Sequence, residues 1–512
     1  MVEIKEYRGH IRNHRALCAE LGIDDALPRD EREMQILQAA YAAWGTEMGN
    51  HLYGMFAFAL WDPEQNAMVC IRDQFGTKPF YYYLTADGKL LCSTMIRTIM
   101  EQDGFVKQLN EKILQYYLTM TYVAGEETFF VGLKKLMPGR CLVFKDGKCT
   151  ITRYWKPEFH PDTNPTLEQW ADEIHTTMQQ MMAEVKEPDE TAESFLSGGV
   201  DSSYVLALSD AKAANTCGYE EERFDESVLA KQTADLLGRT CNRCIVTPEQ
   251  FFDIVPYVMY HMEQPLGDAS AIVFTIGCRE TAKHTKLCYS GEGADEFFGG
   301  YNMYARAAVY GDNLKNFYVG NTNIMKEEEK QRLLLHYDPT VLPIDLAREI
   351  YAENEGVDPL SKMSDVDIQL WLEGDIYLNV DKMSTAAGLE VRMPMTDRRV
   401  FDIASRMPSC YKVAEGQNKI AMRNAAAKVL PEEIAFRKKL GFVVPIRMWL
   451  ADERYNADVR RLLQSDIAAK FFHMDEVESI FREYIEGNSD LWRKIWTIYT
   501  FLVWYEEYFV KR

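Results

Sequence analysis

Short apolar blocks punctuated by turn residues dominate the first third of the chain. Gly54–Trp61 and Ala67–Arg72 flank Asp62-Pro63-Glu64-Gln65-Asn66, and Phe80–Leu84 and Lys89–Cys92 flank Ala86-Asp87-Gly88. From Gly54 to about Tyr154 this pattern predicts an antiparallel, hairpin-rich layer. Apolar residues recur at helical spacing over Asn13–Leu21, Glu33–Trp44 and Asn110–Tyr122, which predicts helices there. The run Lys156-Pro157-Glu158-Phe159-His160-Pro161-Asp162-Thr163-Asn164-Pro165 carries three prolines among polar residues and reads as a linker. Beyond it, helical patterns such as Tyr204–Ala213 alternate with short apolar segments such as Leu287–Ser290, as in an α/β unit around a parallel sheet. From about Asp365 the pattern is mostly helical. The predicted organisation is an α/β chain: a first domain over 1–155, a linker over 156–168, and a second domain over 169–512.

Charge and cysteine usage narrow the classes. A net charge of −21 without a Lys/Arg stripe excludes a nucleic-acid partner. No stretch approaches the ~20 apolar residues of a membrane span, and Met1-Val2-Glu3-Ile4-Lys5 has no signal-peptide character, so a cytoplasmic location is expected. Eleven cysteines at irregular spacing predict reduced thiols, and the lone Cys241/Cys244 pair predicts no zinc site.

The chemistry concentrates in four runs. Ser197-Gly198-Gly199-Val200-Asp201-Ser202-Ser203 follows an extended segment and opens a helix. Glycines there let backbone N–H groups approach an anion, serines add hydroxyl donors, and the helix start adds partial positive charge. Asp201 would repel bare phosphate, so the pattern requires a divalent cation between them. In Ser290-Gly291-Glu292-Gly293-Ala294-Asp295-Glu296, Asp295 supplies a second carboxylate for Mg²⁺ and leaves Glu292 for proton transfer. Gly388-Leu389-Glu390-Val391-Arg392-Met393-Pro394, with Asp397, is the third run. The fourth is Phe436-Arg437-Lys438-Lys439-Leu440-Gly441, where a lysine on a glycine-containing segment is the expected stabiliser of charge that builds at an α-phosphate.

The first run resembles the pyrophosphate loop of the ATP pyrophosphatases, and the four together, from about Gly54 to the end, resemble the glutamine-hydrolysing asparagine synthetases; Arg72-Asp73-Gln74-Phe75-Gly76-Thr77-Lys78-Pro79 adds to the match. The resemblance implies an Ntn-hydrolase-like glutaminase domain followed by an ATP-pyrophosphatase domain. It implies that ATP and Mg²⁺ are the cofactors, and that aspartate is adenylated and ammonia then displaces AMP. Carried over by motif, Phe195, Ser197, Gly198, Gly199, Ser202, Ser203, Ser290 and Gly291 hold ATP, Asp201 and Asp295 hold Mg²⁺, and Glu292 and Lys439 are catalytic. Asp268, Arg392 and Asp397 are candidates for binding the acid substrate. The glutamate at Glu292 favours ammonia as nucleophile, because family relatives that close β-lactam rings carry tyrosine there. A homodimer is left open.

Departures lie in the first domain. Residue 2 is Val2 where the family starts its mature chain with a nucleophilic cysteine, and Arg8-Gly9-His10 and Ser93-Thr94 stand where it has Asn-Gly-Glu and Ser-Glu. Against the family's order, roughly seventy leading residues are absent, which predicts a truncated domain without glutaminase activity. Asp268-Ala269-Ser270-Ala271-Ile272 also departs from the Thr-Thr-Ile-Arg of some members. Three readings stay open: an ammonia-using ligase acting on aspartate, the same chemistry on another carboxylate in specialised biosynthesis, and a non-catalytic interaction protein that keeps the fold.

Overall fold

The apolar blocks of the first half pair as antiparallel strands. In a computed structural model that describes residues 2–310, 318–438, 441 and 443–512, the five-stranded sheet runs Glu3–Ile11, Gly54–Asp62, Ala67–Arg72, Arg140–Lys145, Lys148–Arg153 in spatial order. Gly54–Asp62 and Ala67–Arg72 form the expected hairpin, in register from Ala57↔Arg72 to Asp62↔Ala67. Leu90–Ser93, Tyr81–Leu84 and Leu133–Lys135 make a second sheet. The strand Glu3–Ile11 was not predicted: its residues are mostly charged or polar, so it lacks an apolar block, yet it pairs along Gly54–Asp62 from Glu3↔Trp61 to Ile11↔Gly54. The expected helices lie at His14–Leu21, Arg29–Trp44 and Ile113–Met120.

Residues 156–165 form no helix or strand, and Thr166 then caps the helix Leu167–Glu184 through a reciprocal capping box with Gln169. The second sheet system is wholly parallel, in the order Thr240–Ile245, Ala213–Gly218, Ala192–Phe195, Leu287–Tyr289, Glu390–Arg392. The predicted helix over Tyr204–Ala213 is displaced. It spans Val200–Leu208, starting at the Gly199 cap, and Ala213 instead begins a strand. Ser209 turns extended and stops it, so Ala211 and Ala214 face the sheet core rather than continuing a helical stripe.

The remainder is mostly helical, as its pattern predicts, and includes a π-helical stretch, Asp367–Ile376, running into Tyr377–Ala386. Trp504 and Phe501 of the helix Trp492–Tyr505 pack on Phe129, ring centroids 4.8 and 5.6 Å apart, so the two halves share a core. Buried ion pairs also cross between them: Arg72 and Lys135 meet Glu373 at 2.9 and 2.6 Å, and Lys78 meets Asp381 at 2.9 Å. Among the described residues, no helix is long and apolar enough to cross a membrane.

Candidate active site

The strands Ala192–Phe195 and Leu287–Tyr289 are parallel neighbours, with Tyr289 opposite Ser194. Their carboxyl ends therefore deliver the loops beginning at Ser197 and Ser290 to one place, the position where open α/β sheets bind ligands. A cavity of about 690 Å³ opens there, lined by Phe195, Ser197, Gly198, Gly199, Asp201, Ser202, Asp268, Ser290, Gly291, Glu292 and Asp295.

The first loop is tight for stated reasons. Gly198 has φ +81°, and a Cβ there would stand 3.1 Å from the Ala230 nitrogen and from Leu229 Cβ. Ser197 N donates to Ser202 Oγ at 3.2 Å, and Gly199 N donates to Ser197 Oγ at 3.3 Å, so the serine hydroxyls converge at the start of the helix Val200–Leu208. Ser203 is the exception: its hydroxyl donates to Gly199 O at 2.6 Å, and the side chain is buried outside the cavity lining. Gly291 brings the second loop against the first, since a Cβ there would lie 2.9 Å from Ser202 N. Phe195 and Phe274, 5.2 Å apart, give the cavity an aromatic wall beside Val273, Cys217 and Gly277.

Three acids of the two loops, Asp201, Glu292 and Asp295, face this space. Burial, reinforced by Asp295 and Asp201, raises the Glu292 carboxyl to about 7, against a hydrogen bond from Ser290 Oγ at 3.2 Å that works the other way. Asp201 and Asp295 share the ammonium of Lys419, at 2.5 and 2.9 Å, while Asp201 Oδ1 is buried with no donor. Among the described residues there is no cluster of three His, Cys, Asp or Glu that could hold a metal on its own. Two carboxylates that already hold a cation, one with an unsatisfied oxygen, fit an ion that takes one or two protein carboxylates and completes its shell with phosphate oxygens and water. Glu296, raised to about 8 chiefly by burial, is tied to Tyr301 at 2.6 Å.

Of the three acid-substrate candidates, Asp268 lines the cavity, where it accepts bonds from Ser270 N and Oγ and burial raises its carboxyl. Arg392 and Asp397 lie outside the lining. Arg392 is spent on Glu190, Glu390 and the Val185 carbonyl, and Asp397 caps the helix Arg398–Arg406 while pairing with Arg12 and Arg399. Lys439 lies outside the described residues, whereas its neighbours Arg437 and Lys438 line the cavity and Arg437 donates to Gly198 O at 2.8 Å. Sequence reasoning missed Lys419 and Arg423. Their only signal was a Lys/Arg pair four residues apart at a helix start, which is indistinguishable from a solvated face.

Comparison with known proteins follows the same two blocks. The Asparagine synthase family matches residues 173–506, and the Glutamine amidotransferase domain family matches residues 4–155. The second match corrects the expectation of a truncated remnant: the glutaminase-type domain is recognisable across the whole first block, including the unpredicted strand Glu3–Ile11. The chain is 31% identical to asparagine synthetase (glutamine-hydrolyzing) 1 of Bacillus subtilis (strain 168), over 99% of this chain and 86% of that protein. It is 30% identical to a putative asparagine synthetase (glutamine-hydrolyzing) of Mycobacterium tuberculosis (strain ATCC 25618 / H37Rv), over 98% and 83%. It is 22% identical to amidase chyE of Penicillium rubens, over 83% and 71%.

Proposed function

The chain belongs to the asparagine synthase family, and on that premise we propose that it is an ATP-dependent ligase that adenylates the side-chain carboxylate of aspartate and amidates it with ammonia. The observation that carries this reading is the meeting of the serine-glycine loop, the Asp201/Asp295 pair and a carboxyl poised near 7 in one cavity.

The backbone N–H groups and hydroxyls of Ser197–Ser202 hold the β- and γ-phosphates, with the helix start adding partial positive charge. Asp201 and Asp295 would hold Mg²⁺, which supplies neutralisation of phosphate charge when bound. An acceptor carboxylate oxygen attacks the α-phosphorus, the bond to the bridging oxygen breaks, and pyrophosphate leaves with that electron pair. Lys438 and Arg437 line the same space, and Lys439 is the residue assigned to the charge that builds on the α-phosphate oxygens. Ammonia then attacks the acyl carbon, Glu292 takes the proton from the new N–H, and AMP departs. A carboxyl raised to about 7 is half ionised near neutrality, which suits a general base.

Free ammonia is the nitrogen source in this reading. Thiol attack on glutamine needs an accessible thiolate beside a base. Burial raises the thiols of Cys18, Cys70, Cys141 and Cys149, and Cys92 packs 3.9 Å from Cys70 in an apolar layer.

The test is exchange of labelled pyrophosphate into ATP across a panel of carboxylic acids. Aspartate-dependent exchange is expected, lost in Asp201→Ala. Exchange with a different acid moves the substrate assignment to that acid, and ADP in place of AMP sinks the adenylation reading altogether.

A further inference from the structure

Lys419 is a buried lysine held by several local constraints. Its backbone sits at φ +54°, a left-handed conformation that a non-glycine residue adopts only when its surroundings enforce it. The residue is the N-cap of the helix Ile420–Ala426, and its side chain is 2% exposed. The ammonium lies between Asp201 Oδ2 at 2.5 Å and Asp295 Oδ1 at 2.9 Å. Space for this arrangement comes from Gly300: a Cβ there would fall 1.8 Å from Asp295 Oδ1 and 2.2 Å from Lys419 Cε. Asn418 Nδ2 clamps the same glycine by donating to its carbonyl at 2.8 Å. A strained lysine, a cleared glycine and a side-chain clamp thus converge on the two carboxylates assigned to the metal.

The geometry points to Lys419 as a resident cation that occupies the Asp201/Asp295 site when nucleotide is absent and moves onto the phosphates when the metal arrives with ATP. The inference rests on the assignment of Asp201 and Asp295 as metal ligands. Its physical basis is charge balance. Two carboxylates with Glu292 close by repel one another across a low-dielectric cavity, so the empty site needs a positive charge. Once the metal takes the carboxylates, the ammonium and the ion would repel at this separation. The polyphosphate offers the displaced ammonium a multiply charged partner that the nucleotide-free site lacks. Metal alone must therefore evict a buried ammonium into a space that holds no polyphosphate to receive it. Metal with nucleotide need not. Lys419 would in this way make the site refuse free divalent cation and accept it together with ATP, acting as a positioning residue.

The experiment uses the full-length protein and Mn²⁺ as the probe, followed by the electron paramagnetic resonance signal of the free ion, with and without α,β-methylene-ATP. A site filled by its own cation nine-tenths of the time binds an added ion about tenfold more weakly. Without nucleotide, Lys419→Met is therefore expected to bind Mn²⁺ at least about tenfold more tightly than the native chain, and with the analogue present the gap should close or reverse. Equal Mn²⁺ affinity of the two nucleotide-free proteins would overturn the inference. Absence of Mn²⁺ binding by either protein even with the analogue would instead remove the metal assignment beneath it. If Lys419→Met does not fold, Lys419→Gln supports the same comparison.

Discussion

Replacing Glu292 by glutamine separates the two half-reactions, because the amide keeps the shape and still accepts from Ser290 Oγ at 3.2 Å while losing the proton-accepting oxygen. A proton acceptor is needed when ammonia attacks and is not needed when the carboxylate attacks ATP. Loss of a positioned general base costs about 10²- to 10⁴-fold, so amide formation should fall at least about a hundredfold, with pyrophosphate exchange changing by no more than about threefold. The structure adds a second, independent readout. Because the Glu292 carboxyl is raised from 4.5 to about 7 in the fold, the folded chain binds the proton more tightly than the unfolded one. The associated stability is present below pH 4.5 and is lost as pH rises through about 7. At 1.36 kcal/mol per unit that shift is worth at most about 3 kcal/mol at pH 8, which glutamine would restore. Glu292→Gln should therefore melt higher than the native chain at pH 8 and together with it at pH 4. With free ammonia held constant, native amide formation should rise with pH through about 7. Equal losses in exchange and amidation, or identical melting at pH 8, would refute the assignment of Glu292 as a buried base.

Lys439→Ala should show the opposite division, suppressing pyrophosphate exchange about a hundredfold or more through lost charge stabilisation at the α-phosphate; unchanged exchange would move that role to Lys438 or Arg437. Amide formation should saturate with ammonium salts and rise with pH as free ammonia grows, without glutamate release from glutamine; glutamate production lost on Cys18→Ala would overturn the reading of the first domain. Asp381→Asn should destabilise the chain by about 3–5 kcal/mol, measured by urea unfolding, since it leaves the Lys78 ammonium and the Arg8 guanidinium short of their shared carboxylate at a buried junction. An Asp381→Asn chain as stable as the native one would show that the junction pairs contribute specificity alone.

What was legible in the sequence follows from how local each signal is. The hairpin at Asp62–Ala67 and the two glycine-rich loops declare themselves through short-range turn and glycine chemistry, and the structure places the loops side by side. The strand Glu3–Ile11 gave no such signal because its hydrogen bonds come from a partner about fifty residues away in sequence, and its own charged side chains are exposed or half-buried. Lys419 was illegible for a related reason. Its role depends on Asp201, Asp295 and Gly300, each more than a hundred positions away. Arg392 and Asp397 show the reverse case, residues inside a recognisable motif whose charges are consumed by structure rather than presented to the cavity.

The junction between the halves carries this argument furthest. Arg8, Arg12, Arg29, Arg72, Lys78, Arg97 and Lys135 come from the first block and meet Asp381, Asp397, Glu390, Glu373 and Glu263 from the second. Burial pushes the carboxyls of Glu263, Glu373, Asp381 and Asp397 up; the facing Lys135 and Arg72 pull Glu373, Arg8 and Lys78 pull Asp381, and Arg12 pulls Asp397 below the ordinary range, whereas Glu263 is held down chiefly by Lys382 of its own block. In each of these cross-block pairs the cation comes from the first block and the acid from the second, so separating the blocks would strip buried acids such as Glu373 and Asp381 of their partners. Arg8 and Arg12 flank the Gly9-His10 segment that departs from the family's glutamine-holding motif, and both guanidinium groups are directed to the second block, at Asp381 and Asp397. Arg8, one of the residues that depart from the family's pattern, is thus also one of those that tie the two blocks together. The buried pairs tie the first block to the second whatever the source of nitrogen.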